Sequence, residues 1–226
     1  MSDCRREIVT IDGPAGVGKS TISRRVASRL GFTYLDTGAM YRAVAWYLRK
    51  HGVDTGDESA IAAALGRIDL ELLPAGGEDD DVGVVVNGED ISGEIRSPDI
   101  SMLASSVSAL APVREKLTAL QRQAGERGNI VAEGRDTGTV VFPAARHKFF
   151  LDASPAARAA RRARQLRERG EAVDEEKLLE MTIKRDRQDS ERAIAPLRKA
   201  ADATLVDTTD LSADQVLELV VAKISG

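Results

Sequence analysis

Ile8-Val9-Thr10-Ile11-Asp12 runs directly into Gly13-Pro14-Ala15-Gly16-Val17-Gly18-Lys19-Ser20. The first five residues are mostly β-branched and apolar, as in a strand buried on both faces. The next eight fit G-x-x-x-x-G-K-[ST]. From Lys19 onward Ile22, Val26 and Leu30 recur along one helical face that stops at Gly31. Strand, glycine-rich turn and helix in that order make a loop whose backbone N–H groups wrap phosphates, and the helix N-terminus adds its positive dipole end. On this reading Gly13, Pro14, Ala15, Gly16, Val17, Gly18, Lys19, Ser20 and Thr21 bind a nucleoside triphosphate. Lys19 reaches its β and γ phosphates, and the Ser20 hydroxyl ligates Mg2+.

Outward from the loop, strands and helices alternate. Residues 32–35, 129–133, 148–151 and 203–207 read as strands. Residues 39–50, 60–65, 100–110, 112–124, 155–169, 175–192 and 211–224 read as helices, with Pro112 suited to a first turn. This order predicts an α/β fold of three layers, α/β/α, around a central parallel sheet. The stretch 67–98 differs. It is acidic and glycine-rich, with strand patterns at 68–73 and 82–86 and the hairpin signal Asn87-Gly88 before Glu89-Asp90-Ile91. It reads as a small β-containing insert, leaving 1–66 and 99–226 as the core.

The chain has 226 residues, of which 42% are hydrophobic and 30% charged, enough for a full core without staples. No apolar run approaches the roughly eighteen residues of a membrane span, and no secretory signal precedes Ile8. The single cysteine, Cys4, excludes an internal disulfide and a cysteine-rich zinc site, and fits a reducing cytoplasm. A net charge of −4 argues against non-specific nucleic-acid binding. Acidic side chains crowd residues 71–101, with the loop 78–81 read as solvated, while Arg158, Arg161, Arg162, Arg164, Arg167 and Arg169 form a stripe. A balanced total with one local arginine stripe points to a compact anion. His51 and His147 have no partners at metal spacing and read as surface or turn residues; Trp46 reads as core.

A phosphate loop serves GTPases, motors and kinases alike. The guanine-reading N-K-x-D is missing, and D-x-x-G occurs only at Asp80 and Asp90 inside the insert. A kinase needs an acceptor site. Asp36-Thr37-Gly38-Ala39-Met40-Tyr41-Arg42 follows the second strand at its carboxyl end, where ligands of open α/β sheets bind. Thr37 also fits a helix N-cap. Glu133-Gly134-Arg135-Asp136-Thr137-Gly138-Thr139 follows another strand and reads as a binding loop or a solvated turn. Arg185, Asp189 and Arg192 share one helical face, as do Arg158, Arg161 and Arg162; salt-bridged or solvated surface is the competing reading for both. Arginine forks suit phosphate oxygens and neutralise a transferring phosphoryl group.

Together these residues resemble bacterial cytidylate kinases of the nucleoside monophosphate kinase group. The resemblance runs end to end and rests on residues 11–19, 36–42, 134–143 and Phe150-Leu151-Asp152-Ala153, with Arg192-Ala193-Ile194-Ala195-Pro196-Leu197. It implies transfer of the γ-phosphoryl of ATP, with Mg2+, to CMP or dCMP; no stripe in the chain resembles an obligate interface, so the chain reads as a monomer. The resemblance places Arg42 and Arg192 at the acceptor phosphate. Ser105, Arg114 and Asp136 read the cytosine edge, Thr37 and Arg135 lie beside the nucleotide, and Arg185 and Asp189 hold the sugar. The insert becomes an enlarged monophosphate-binding region. Residues 155–172 become a helical lid closing over ATP, with Arg158 and Arg162 joining Lys19 in catalysis. Ser20 and Thr21 both follow the lysine, so either hydroxyl meets Mg2+. The rivals are the same chemistry on UMP, AMP or a metabolite hydroxyl, and a nucleotide-binding regulator without acceptor-dependent turnover.

Overall fold

A computed structural model describes residues 6–75, 77, 80–168 and 170–225; Cys4, Glu78, Asp79 and Arg169 lie outside the described residues. β1 (Ile8–Asp12) leads through the glycine loop to α1 (Lys19–Leu30), β2 (Thr33–Asp36) and α2 (Thr37–Lys50). α3 (Glu58–Leu65) precedes β3 (Leu70–Leu73), β4 (Gly83–Val86) and β5 (Glu89–Asp90). Then come α4 (Pro98–Val107), α5 (Ala111–Arg127), β6 (Ile130–Gly134) and β7 (His147–Asp152). α6 (Pro155–Glu168), α7 (Glu175–Glu191), β8 (Thr204–Asp207) and α8 (Ala213–Ser225) complete the order.

Five strands form one sheet in the order β2-β6-β1-β7-β8, with every pair parallel. Alternation along the strands divides the core. Ile130 and Ala132 of β6 point to a cluster with α2, α4 and α5, while Val131, Val9 and Ile11 point to the opposite cluster with α1 and α8. The expected three layers follow from that split. β6 lies between β1 and β2, so the connections leaving β1 and β6 diverge to opposite sides. The carboxyl ends of these strands open there into a crevice suited to ligands.

The stretch read as an insert forms a three-stranded antiparallel sheet, turned at Asn87 and Gly88 with φ of 51° and 82°. Positive φ at both positions is what a two-residue hairpin requires. Val84, Val86, Ile91 and Ile95 from this region join the α2 cluster, so it shares the main core. Trp46 is 6% exposed, in the core, and its indole N–H donates to Glu94 Oε2. His147 opens β7 and faces Glu7 Oε1 at 3.0 Å, so it is no turn residue. Asp81 is not merely solvated: it pairs with Arg24 of α1 and with Arg96.

Two local readings change. α2 starts at Thr37 because the Asp36 carboxylate accepts from Ala39 N at 2.8 Å; Asp36, not Thr37, is the cap. The loop after β6 is not an open turn. Thr137–Val141 make a wide five-residue helical turn. The cause is Asp12, buried at the end of β1, whose carboxylate accepts from Thr137 N (2.9 Å), Thr137 Oγ1 (2.8 Å) and Gly138 N (2.7 Å). Arg122 holds the far end through the Val140 and Val141 carbonyls. Asp12→Ala strands two buried N–H groups and should cost roughly 2–4 kcal/mol in urea denaturation. A variant as stable as the parent would show that the turn holds itself.

Candidate active site

The loop 13–18 turns tightly because glycine stands where a side chain has no room. A Cβ on Gly13, whose φ is 151°, would lie 2.1 Å from the Leu151 carbonyl oxygen. Lys19 opens α1 and folds back so that its Nζ donates to the Pro14 carbonyl at 2.8 Å. It is only 6% exposed. Burial first, then the Arg135 charge, lowers its ammonium pKa well below the usual lysine range. Burial, then Asp36, raises that of its neighbour Glu133. Each charge favours the other's ionised form. Ser20 Oγ donates to Glu133 Oε1 at 2.9 Å, and Glu133 Oε2 is buried with no hydrogen-bond partner.

Two cavities meet at Lys19 and Ser20. One is a cleft of about 1240 Å³ between the glycine loop with α1 and the arginine face of α6, floored by residues 208–213. Thr21, Arg158, Arg161, Arg162 and Arg164 line it. Arg161 donates to the Thr208 carbonyl and hydroxyl at the floor of the cleft. Arg158 turns inward onto Ala15 O, Ala153 O and Asp186. Arg162 has no hydrogen bond or ion pair among the described residues.

The second cavity is about 220 Å³ and narrow. Thr37, Arg42, Ser105, Arg135, Asp136, Arg185, Asp189 and Arg192 line it, with Lys19, Ser20 and Glu133 at its mouth. The sequence-predicted acceptor residues therefore converge, although they come from α2, α4, the β6 loop and the end of α7. Arg114 sits one layer behind, donating to Asp136 Oδ2 and to the Ser108 carbonyl (3.2 Å). Arg192 donates to the other oxygen, Asp136 Oδ1, at 3.3 Å and to Ser108 Oγ at 3.4 Å. Thr37 Oγ1 donates to the Glu133 carbonyl at 2.6 Å, Arg42 to Asp36 Oδ2 at 3.1 Å, and Arg135 Nε to Asp189 Oδ2 at 2.8 Å.

The charges sort along the cavity. Arg42, Arg135 and Arg185 gather with Lys19, where their mutual repulsion is felt: burial and then Arg135 bring Arg185 down to about 10. The Nε atoms of Arg42 and Arg185 are buried without partners. Arg192, which the resemblance grouped with Arg42, lines the same cavity and pairs with Asp136 beside Arg114. Several residues of this region were given no role of their own by the sequence reading. Tyr41 and Ser101 line the second cavity, Ser108 joins Arg114 to Arg192, and Asp186 holds Arg158. Ser101 precedes Ser105 by one helical turn and was legible from that spacing. Ser108 and Asp186 carry no local signal, since their partners are distant in sequence.

The cytidylate kinase family model matches residues 9–226. A cytidylate kinase of Nitratidesulfovibrio vulgaris is 51% identical over 218 residues, covering 96% of this chain and 92% of that protein. A bifunctional pantoate ligase/cytidylate kinase of Synechococcus elongatus is 48% identical over 219 residues, covering 96% of this chain and 42% of that longer protein. Among solved structures, an uncharacterized protein from Eubacterium ventriosum superposes with a TM-score of 0.51 over 98% of this chain and 99% of its own, at 12% identity. That likeness concerns the fold alone. The family match spans the glycine loop, both cavities and the helices between them, and the chain belongs to the cytidylate kinase family of nucleoside monophosphate kinases.

Proposed function

We propose that this kinase transfers the γ-phosphoryl of MgATP to the 5′-phosphate of CMP or dCMP, giving ADP and CDP or dCDP. The observation that carries the reading is the meeting of two cavities at Lys19 and Ser20, one walled by the phosphate loop and one closed by a doubly held Asp136. The wide cleft takes ATP on residues 13–21 and the narrow cavity takes the acceptor nucleotide.

Arg42, Arg135 and Arg185 surround the acceptor phosphate. The two partnerless Nε–H groups support this, because a buried guanidinium donor calls for an acceptor. Asp189, anchored by Arg135, faces the sugar. At the base end, Arg114 and Arg192 fix Asp136 as an acceptor with both oxygens oriented, and Ser105 lines the same cavity. Cytosine offers an exocyclic amine to such a carboxylate, whereas uracil presents a carbonyl there and is repelled. The ion pair of Arg192 with Asp136 supports a role for Arg192 in holding the base-reading carboxylate.

A phosphate oxygen is already ionised at neutral pH, so the reaction needs no general base. Catalysis is positioning and charge neutralisation. The anionic phosphates favour the ammonium form of Lys19 against its burial, and Lys19 then offsets charge on the β and γ oxygens. Arg162, whose side chain has no partner among the described residues, supplies a second cation from α6, and Arg158 keeps one N–H for the same purpose. We read residues 155–172 as a lid over the donor, since α6 forms the outer wall of that cleft.

The residues fit a magnesium site. No group of three or more His, Cys, Asp or Glu placed to hold a metal occurs among the described residues; a phosphate-bound Mg2+ needs only one or two protein ligands, and the Ser20 hydroxyl is the one the loop supplies. Ser20 borders both cavities and already touches Glu133, whose free Oε2 can orient a metal's water shell; Thr21 borders only the donor cleft. When bound, Mg2+ neutralises charge on the phosphate oxygens. The working form we propose is a cytoplasmic monomer acting on small nucleotides, not on nucleic acid or a membrane. The net charge of −4 argues against a nucleic-acid partner and the single cysteine fits a reducing compartment; no helix among the described residues is long and apolar enough to cross a membrane.

Steady-state assays of ADP release should show CMP and dCMP turned over far better than UMP or AMP. Asp136→Asn should erode the CMP-over-UMP ratio of kcat/KM by roughly a hundredfold. Equal losses on both substrates would remove Asp136 from base reading. EDTA should abolish turnover, and Ser20→Ala should raise the magnesium requirement roughly ten- to hundredfold while Thr21→Ala does not. The reverse pattern would move the ligand to Thr21.

A further inference from the structure

Arg158 of α6 commits four of its five N–H groups inside the protein. Nε donates to the Ala153 carbonyl at 3.0 Å, just before α6. Nη1 donates to the Ala15 carbonyl at 3.0 Å, within the phosphate loop, and to Asp186 Oδ1 at 2.9 Å. Nη2 completes the fork on Asp186 Oδ2. The arginine side chain is 3% exposed and that of Asp186 25%. Asp186 itself lines neither cavity.

The position of Asp186 on α7 matters. Arg185 precedes it and lines the acceptor cavity; Asp189, one turn on, grips Arg135. One fork therefore joins three things: the carbonyl of a donor-loop residue, the root of α6, and the helix that presents acceptor side chains. A bidentate Arg–carboxylate pair fixes direction as well as distance. A buried guanidinium that loses its carboxylate is costly, so the fork resists partial slippage. Donor phosphates that fix the loop around Ala15 thereby fix Arg158, and Arg158 fixes α7.

We propose that Asp186 is a positioning residue that couples the two substrate sites, holding α7 to the phosphate loop through Arg158 so that filling the donor side orders Arg185 and Asp189 on the acceptor side. The proposal rests on reading the two cavities as donor and acceptor sites. Coupling of this kind is reciprocal: CMP must raise donor affinity by the factor by which the donor raises CMP affinity.

Calorimetric titration of the full chain tests it, with CMP and a non-hydrolysable ATP analogue plus Mg2+, each added alone and in the presence of the other. The unmodified protein should bind CMP roughly fivefold or more tightly with the analogue present, and the converse factor should match. In Asp186→Asn the factor should fall towards one while affinity for CMP alone changes little, and Asp186→Glu, which keeps a charge for Arg158, should return part of it. Thermal melts establish that each variant is folded. In the unmodified protein, adding the analogue alone should also slow hydrogen exchange of α7 amides 182–190. An unchanged factor in folded Asp186→Asn overturns the proposal, as does equal weakening of both ligands with the factor intact. So does unaltered exchange in α7. An unmodified protein that binds the analogue but no CMP would instead overturn the functional reading, and the coupling with it.

Discussion

Asp12, Asp36 and Glu133 stand at or next to the carboxyl ends of the neighbouring strands β1, β2 and β6, in a region almost closed to water. A buried carboxylate must find donors or give up its charge. Each finds them in the chain that leaves a strand. Asp12 captures the turn 137–141, Asp36 caps α2 and holds Arg42, and Glu133 takes the Ser20 hydroxyl beside Lys19. The parallel register sets these three side by side, Asp36 opposite Glu133 and Asp12 opposite Gly134. The site is thus assembled by the same hydrogen bonds that finish the sheet.

That row of acids also explains why so many arginines can gather in one narrow cavity. Arg42, Arg135 and Arg192 each have a carboxylate partner, so the cavity is less repulsive than its basic lining implies. What is left over is directional. Spare N–H groups lie on Arg42 and Arg185, and spare acceptor capacity lies on Asp136, in the same cavity. A molecule carrying a phosphate at one end and an amine-bearing ring at the other matches that polarity.

The fold was legible where its signals are local. The strand, glycine turn and helix around Lys19 depend on residues within a few positions of each other, as does the Asn87-Gly88 hairpin. Ser105, Arg114, Asp136 and Arg192 were named from sequence resemblance, yet the sequence carried no sign that Ser108 ties Arg114 to Arg192. The fork between Arg158 and Asp186 spans 28 positions and two helices, and periodicity on either helix alone reads it as surface charge. The cap of α2 was misread by one residue because Asp36 and Thr37 are both good caps, and the choice is made by Thr37 turning to the Glu133 carbonyl. The wide turn at 137–141 depends on a carboxylate 125 residues away, which no local pattern encodes.

The central claim is that the two cavities are halves of one reaction, joined at Lys19 and Ser20. The most direct measurement is a calorimetric titration with a bisubstrate ligand, in which adenosine and cytidine are linked through their 5′ positions by a chain of phosphates. One molecule should bind per chain, more tightly than ATP or CMP alone, and be displaced by saturating either nucleotide. Two molecules per chain, or competition with only one of the nucleotides, would contradict it.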